Sequence, residues 1–288
     1  MASSRFNHFR TLLVLGRVSN LPTVWSNCFA GWLLGGGGHG GIFFWACSGS
    51  SFLYIGGMYL NDAFDAAFDR QHRPERPIPS GAISHGEVWL WGLGWLALGL
   101  LCLLSLGPST NALAISLVVC ILVYDAIHKI FAFSPVLMAA CRFLLILVAS
   151  STARSGVTGI AMWSALVLAS YIVGLSYIAR QESTRGALQY WPCLLLAAPV
   201  VLGLVVNRGE YKLRGLALCG VLLLWMLNCL RHVFGSEQRN IGRGVGGLLA
   251  GIVLVDLMAV GFGSSATGLM FVGLFVLALV FQRFIPAT

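Results

Sequence analysis

Ten apolar segments, each 17 to 23 residues long, recur along the chain and restrict its fold more than any other feature. They lie at 20–36, 42–64, 87–106, 109–127, 133–152, 159–181, 190–206, 213–231, 244–262 and 266–284. A helix needs about 20 apolar residues to cross the hydrocarbon core of a bilayer. Only 10% of the 288 residues are charged, whereas soluble domains carry about 25%. We therefore predict an all-α polytopic membrane protein that forms a single domain over residues 1–288.

The positive charges predict the orientation of this helical bundle. With a cytoplasmic N-terminus, thirteen of the 18 lysines and arginines lie on the cytoplasmic side, four lie on the opposite side, and Arg142 lies inside a segment. Cytoplasmic loops of membrane proteins are enriched in these residues. We therefore expect both termini to be cytoplasmic. The net charge of +8 has the same origin, so we expect membrane lipids as partners and no nucleic acid.

The few acidic residues are clustered. Three of the five aspartates, Asp62, Asp65 and Asp69, fall within eight residues at the end of the second segment. If the helix continues through them, their spacing puts the three carboxylates on one face, which Asn61 shares. Clustered carboxylates repel one another unless a cation joins them. Mg²⁺ suits such a site, because it typically binds one or two carboxylates together with substrate phosphate oxygens.

Arginines adjoin this acidic cluster. Arg70, Arg73 and Arg76 follow it directly and can offer forked hydrogen-bond donors to a diphosphate. A simpler alternative is a solvated, acidic helix end that these arginines neutralise. Acids at the end of a long apolar helix are costly and usually functional, which favours a metal–diphosphate site on the cytoplasmic face.

The run NDAFDAAFD at 61–69, followed by RPIPSG at 76–81, resembles the first Asp-rich motif of the UbiA superfamily of intramembrane prenyltransferases. Weaker similarities follow in order, Arg17 with Pro22 in the first helix and Tyr124 with Lys129 in the fourth. The resemblance implies a UbiA-like bundle of nine or ten transmembrane helices, because family members typically have nine and this chain has ten apolar segments. The blocks SNLPTVWSNCFAGWLLGG and SYIARQES also look like UbiA-like proteins of the bacterial ebo gene cluster, which implies a bacterial inner membrane.

The chain departs from the family pattern at the second Asp-rich motif. Family members usually have a DxxxD pattern after the sixth helix, where this chain has SYIARQESTRG at 176–186. One acid remains, Glu182, between Arg180 and Arg185. Either Glu182 suffices with one metal ion, or arginine charge replaces part of the metal charge, or the chain no longer ionises a diphosphate. A second departure is Asp125, where the family often has a small polar residue.

The resemblance, added to the residue pattern, implies a set of site residues. The metal ligands are Asp62, Asp65, Asp69 and Glu182. The catalytic residues are Asp65, Asp69, Asp125 and Glu182, of which the last two are possible bases. The substrate-binding residues are Arg17, Asn61, Arg73, Arg76, Tyr124, Lys129 and Arg180. The implied cofactor is Mg²⁺, and the implied substrates are an isoprenoid diphosphate and a lipophilic or aromatic acceptor.

Two functions remain open at this point. The first is Mg²⁺-dependent transfer of a prenyl group from an isoprenoid diphosphate to a cyclic or aromatic acceptor within the membrane. The second is a non-catalytic or transport-type protein of the same fold that binds an isoprenoid or a pathway intermediate, because the second motif is altered. A transporter of another class does not explain a contiguous cluster of acids and arginines at one membrane face.

One further acid, Asp256, falls at about mid-depth in the ninth apolar segment. An acid at this depth is functional or is paired with another polar group. Arg142, inside the fifth segment, is the expected partner.

Overall fold

The computed structural model describes residues 2–180, 189–206, 212–235, 240–261 and 264–287, and within these ranges every regular element is a helix. The helices are α1 Ala2–Leu15, α2 Leu21–Leu34, α3 Gly40–His72, α4 His85–Leu104, α5 Pro108–Ile127, α6 Ser134–Ser151, α7 Gly159–Arg180, α8 Pro192–Leu196, α9 Ala198–Val206, α10 Lys212–Phe234, α11 Ile241–Ala259 and α12 Ser265–Phe284. A 3-10 turn, Val18–Asn20, links α1 to α2. The all-α architecture predicted from the apolar segments is therefore confirmed.

The ten predicted segments correspond to α2 through α12. Among the described residues, α4 to α7 and α10 to α12 are seven helices that are long and apolar enough to cross a membrane, and Pro192–Val205 is a shorter apolar stretch. The total of nine or ten spans stays a prediction. The segment 190–206 is divided at Ala197 into α8 and α9, which fits the missing N–H group of Pro199 in the first turn of α9.

Helix α3 extends over 33 residues and runs from apolar sequence through the acidic cluster without a break. The predicted continuation of this helix is therefore confirmed. Asn61, Asp62, Asp65 and Asp69 are all buried on it. Because buried polar groups are costly unless they are hydrogen-bonded or paired, the neighbouring elements must supply their partners.

Helix α1 lies outside the ten predicted segments, because its sequence is too polar for a membrane span. The chain turns after it at Arg17, whose φ of 40° is a left-handed conformation that is uncommon for residues other than glycine. Ser19 and Asn20, just beyond the turn, donate hydrogen bonds to the carbonyl oxygens of Pro286 and Ala287 at 3.3 and 2.9 Å. The residues after α12 thereby fix the turn that carries Arg17.

Helices α3 and α4 approach each other closely at glycines. A Cβ atom on Gly56 would lie 2.7 Å from the backbone nitrogen of Leu96 and 2.9 Å from the carbonyl oxygen of Gly92. A Cβ atom on Gly99 would lie 2.7 Å from the carbonyl oxygen of Gly49. Small residues allow membrane helices to pack backbone against backbone, so these positions hold α3, and the acidic cluster on it, against α4.

We expect the substitution Gly56→Ala to lower the thermal stability of the detergent-solubilised protein. Alanine stabilises a helix by about 1 kcal/mol relative to glycine, but forcing a methyl group into this contact costs about 1–3 kcal/mol. The matched control is Gly94→Ala on the exposed side of α4, where a new Cβ atom meets nothing within 4 Å. A Gly56→Ala protein that unfolds at or above the temperature of the Gly94→Ala protein would contradict this packing.

Candidate active site

Two of the three aspartates of α3, Asp62 and Asp69, contact arginines that lie outside this helix. Arg17 donates from Nη2 to Asp62 Oδ1 at 3.3 Å and to Asn61 Oδ1 at 3.4 Å. Arg76 donates from Nη1 to Asp62 Oδ1 at 3.0 Å and to Asp69 Oδ2 at 3.4 Å. Arg76 therefore joins two carboxylates that are seven residues apart on α3, and Arg17 approaches from the α1–α2 turn.

The loop after α3 holds Arg76 in position. Ile78 and Ile83 of this loop are buried and pack in one apolar cluster with Leu15 and Val88. Gly81 has a φ of 75°, a left-handed conformation that glycine adopts without steric cost. The Arg-Pro-Ile-Pro-Ser-Gly sequence thus provides an anchor and a turn that return the arginine to the end of α3.

Asp65 has its own basic partners at the end of α5. Lys129 Nζ lies 3.1 Å from Asp65 Oδ2, and His128 Nε2 lies 3.3 Å from the same carboxylate. Lys129 Nζ also lies 4.2 Å from the centre of the Phe68 ring, a favourable cation–π distance. His128 stacks on Tyr124, with 5.0 Å between the ring centres. These contacts bring Lys129 directly, and Tyr124 through His128, to the acidic cluster.

Asp125 completes the cluster from the side of α5 that His128 and Lys129 also continue. Asn61 donates from Nδ2 to Asp125 Oδ1 at 3.2 Å, and Asp125 is only 3% exposed. The second oxygen, Asp125 Oδ2, is buried and has no hydrogen-bond partner among the described residues. A carboxylate oxygen in this state can accept a proton or a hydrogen bond from a ligand.

The site carries nearly balanced charge. The pKa of Arg17 lies above its ordinary value, because the negative charge of Asp62 and its neighbours more than offsets the lowering effect of burial. Arg17 therefore stays protonated. Pairing offsets part of the free-energy cost of burying these charges.

The oxygen ligands of the cluster fit Mg²⁺ if a substrate completes the site. Asp69 Oδ1 is buried and lacks a hydrogen-bond partner among the described residues, as expected for an oxygen that a cation would satisfy. Within the described ranges, no three His, Cys, Asp or Glu side chains lie close enough to hold a metal ion by themselves. Mg²⁺ commonly uses one or two carboxylates and takes its other ligands from substrate phosphates and water, so this arrangement is compatible with it.

Three further residues were predicted for the site: Arg180, Arg73 and Glu182. Arg180, at the end of α7, donates to the carbonyl oxygen of Ala132 at 2.8 Å and to Ser134 Oγ at 3.3 Å, in the α5–α6 connection. Arg73 follows the last residue of α3, and its side chain forms no ion pair with the described residues. Glu182 lies outside the described residues. The roles predicted for these three residues stay predictions.

Sequence reasoning gave His128 no specific role, although this side chain contacts Asp65. Its position directly before Lys129 and one helical turn after Tyr124 was the available signal. The expected pairing of Asp256 with Arg142 is indirect, because Asn27 stands between them and hydrogen-bonds to both.

The fold and the site together define an integral, multi-pass membrane protein with a buried cluster of carboxylates and basic side chains at the end of α3. The chain belongs to the UbiA prenyltransferase family, whose sequence profile matches residues 20–239. The family predicted from the NDAFDAAFD motif is therefore confirmed.

Individual relatives share shorter stretches with the chain. A digeranylgeranylglyceryl phosphate synthase from Ignicoccus hospitalis is 42% identical over 69 residues, which are 24% of this chain and 23% of the relative. A synthase of the same name from Methanoregula boonei is 37% identical over 70 residues, which are 24% of this chain and 25% of the relative. The matched part thus spans about a quarter of the length of these curated relatives.

Solved structures are similar over nearly the whole fold. The apo structure of a UbiA homologue from Aeropyrum pernix K1 has a TM-score of 0.64 at 15% identity, covering 85% of this chain and 97% of that chain. A UbiA homologue from Archaeoglobus fulgidus, bound to GPP and Mg²⁺, has a TM-score of 0.62 at 14% identity, and the match covers 96% of this chain and 97% of that chain. At this level of identity the comparison establishes that the fold is UbiA-like.

Proposed function

We propose that this protein transfers a prenyl group from an isoprenoid diphosphate to an acceptor within the membrane, in a reaction that depends on Mg²⁺. The observation that carries the proposal is the buried cluster in which Asp62, Asp65 and Asp69 face Arg17, Arg76 and Lys129. This cluster supplies oxygen ligands for a hard cation and donors for diphosphate oxygens in one place. The family and the GPP–Mg²⁺ complex of the Archaeoglobus fulgidus homologue support it.

The proposed Mg²⁺ ligands are Asp62, Asp65 and Asp69, with Glu182 as a further ligand from outside the described residues. When bound, Mg²⁺ supplies positive charge that stabilises the departing diphosphate. Arg17 and Arg76 bind the diphosphate oxygens, and Lys129 contributes a third positive charge. The lysine and the two arginines thereby stabilise charge at the place where it develops in the transition state.

Departure of the diphosphate is the first step of the proposed transfer, and capture of the resulting cation is the second. As the carbon–oxygen bond breaks, its electron pair stays on the diphosphate and the allylic carbon becomes cationic. The face of the Tyr124 ring can stabilise that cation. An electron pair of the acceptor forms the new bond to the allylic carbon, and Asp125 Oδ2, which has no hydrogen-bond partner among the described residues, takes the proton that the acceptor loses.

The proposed acceptor is a cyclic or aromatic compound, because an electron-rich π system captures an allylic cation readily. A second candidate acceptor is a glyceryl phosphate lipid, which the name shared by the Ignicoccus hospitalis and Methanoregula boonei relatives supports. The two candidates differ in the product, a prenylated ring or a prenyl ether. Mass spectrometry of the product distinguishes them.

Release of pyrophosphate tests the enzymatic function against the alternative of a binding protein. We expect the protein in lipid nanodiscs, supplied with geranyl diphosphate and total membrane lipid, to release pyrophosphate with Mg²⁺ present. EDTA should stop the release, and excess Mg²⁺ should restore it. Release that continues in EDTA would contradict the Mg²⁺ requirement, and no release under any of these conditions would contradict the enzymatic function.

We also propose that the site faces the cytoplasm of a bacterial cell, with the protein in the inner membrane. The bias of thirteen cations against four supports this orientation. A thiol reagent that does not cross membranes should label Ser155→Cys, in the α6–α7 loop, on intact cells. It should label Ser80→Cys, in the α3–α4 loop, only after lysis, and the reverse pattern would overturn the orientation.

A further inference from the structure

A second polar cluster lies deeper in the bundle, between α2, α6 and α11. Asp256 accepts hydrogen bonds from Ser26 Oγ at 2.5 Å and from Asn27 Nδ2 at 2.7 Å. Arg142 donates from Nη1 to Asn27 Oδ1 at 2.8 Å and from Nη2 to Thr23 Oγ1 at 3.1 Å. Four polar side chains therefore fix the position of one guanidinium group.

These four side chains are sealed inside the protein, but Arg142 is not. Thr23, Ser26 and Asn27 are 0% exposed and Asp256 is 2% exposed, whereas Arg142 is half-buried. The guanidinium points inward, with its central carbon 5.7 Å from the centre of the Tyr54 ring on α3. Arg142 therefore contacts α2 through Asn27 and Thr23 and lies beside Tyr54 of α3, while part of its own surface stays exposed.

Tyr54 lies on the same side of α3 as the acidic cluster. Tyr54, Asn61 and Asp65 are seven and four residues apart, which places them on one face of the helix. At a rise of about 1.5 Å per residue, Tyr54 is about 10 Å from Asn61 along α3. Tyr54 Oη also donates to the carbonyl oxygen of Arg17 at 3.4 Å. The phenol of Tyr54 thus lies between Arg142 and the residues that we propose bind the diphosphate.

The charge on Arg142 is only indirectly compensated. Among the described residues it makes no direct ion pair, and its link to Asp256 runs through Asn27. A guanidinium has five N–H groups, and the two hydrogen bonds to Asn27 and Thr23 use two of them. A cation inside a membrane protein is costly and usually functional, and the other N–H groups suit forked bonds to an oxyanion.

We propose that Arg142 binds an anionic oxygen group, a carboxylate or a phosphate, of the acceptor that receives the prenyl group. Thr23, Ser26, Asn27 and Asp256 are positioning residues that hold the guanidinium next to the Tyr54 ring. The assignment rests on the proposed function and specifies its second substrate. The acceptor carries its negative charge at a distance from the atom that is prenylated, because Arg142 is separated from the acidic cluster.

The experiment supplies radiolabelled geranyl diphosphate, Mg²⁺ and two pools of cellular lipid, one neutral and one acidic, separated on an anion exchanger. We expect label to enter product only from the acidic pool. In Arg142→Gln, half-maximal transfer should need about tenfold more of this pool, since a charge-assisted hydrogen bond contributes about 1.5–3 kcal/mol. The KM for geranyl diphosphate should change by less than about twofold. Arg142→Lys keeps the charge without the forked geometry. The amount of acidic lipid that it needs should lie between the amounts for the unsubstituted protein and for Arg142→Gln.

Two further arms separate the assignment from its alternatives. Phosphatase treatment of the acidic pool abolishes transfer if the group is a phosphate monoester, and leaves it intact if the group is a carboxylate. Arg142→Gln with Asp256→Asn removes both charges, and this protein should keep its unfolding temperature and still need the larger amount of acceptor. Transfer from the neutral pool alone would overturn the assignment. An equal increase, in Arg142→Gln, of the half-saturation values for the acidic pool and for geranyl diphosphate would also overturn it. No transfer by the unsubstituted protein from either pool would contradict the proposed function itself.

Discussion

The substitution Asp65→Asn should reduce Mg²⁺-dependent pyrophosphate release by about 100-fold or more, the usual scale for loss of one group that stabilises transition-state charge. Asp65 is buried, and Lys129 and His128 both contact it. The amide keeps the size of the side chain but loses the negative charge that would bind a divalent cation. The measurement is the rate of pyrophosphate release from geranyl diphosphate at saturating Mg²⁺.

The matched control for this change is Glu75→Gln, an equivalent loss of one carboxylate in the exposed loop after α3. It should keep the rate within about twofold, because a surface charge contributes little. Thermal unfolding of both proteins shows whether the fold survives. If Asp65→Asn folds normally and retains the full rate, Asp65 does not bind the metal.

The substitution Arg76→Gln should raise the KM for the prenyl diphosphate by about tenfold or more and also lower kcat. Arg76 joins Asp62 and Asp69, and a diphosphate would take over part of its hydrogen bonding. Loss of a charge-assisted hydrogen bond costs about 1.5–3 kcal/mol. Steady-state kinetics with varied geranyl diphosphate measure both constants. Arg76→Lys should recover only part of the loss, because lysine lacks the forked donor geometry.

Arg70→Gln is the control for Arg76→Gln, since Arg70 lies on the exposed side of the last turn of α3. It removes the same charge from the same membrane face. Equal kinetic defects in Arg70→Gln and Arg76→Gln would show that the general positive field of this face, and not the position of Arg76, attracts the diphosphate.

The acidic cluster could be predicted because its spacing is local. Asp62, Asp65 and Asp69 lie within eight residues, and helical periodicity alone brings their carboxylates to one side of α3. Their pairing with Arg17 and Lys129 depends on contacts across 45 and 64 residues of sequence. The family resemblance predicted that Arg17 and Lys129 belong to the site. The fold was needed to show that they pair with Asp62 and Asp65.

Only part of the second polar cluster could be predicted from the sequence. Asp256 and Arg142 stand out because charged residues are rare in apolar segments. Thr23, Ser26 and Asn27 do not stand out, because polar residues of this kind often bond within their own helix. The indirect link through Asn27 depends on how α2 packs between α6 and α11, which hydropathy does not specify.

The turn at Arg17 could not be predicted at all. Its left-handed conformation is uncommon for arginine, and its neighbours are fixed by carbonyl oxygens of Pro286 and Ala287, more than 260 residues away. A polar N-terminal helix followed by a short turn has no periodic apolar pattern to detect.

Transfer of the prenyl group is the central claim, and following the prenyl carbon tests it most directly. The protein in nanodiscs is incubated with geranyl diphosphate labelled in the carbon that bears the diphosphate, with Mg²⁺ and total membrane lipid. Transfer predicts label in an organic-soluble product heavier than geraniol, formed in a one-to-one ratio with pyrophosphate and absent in Asp65→Asn. Label that stays entirely in geranyl diphosphate, or appears only in geraniol, would contradict the assignment of this protein as a prenyltransferase.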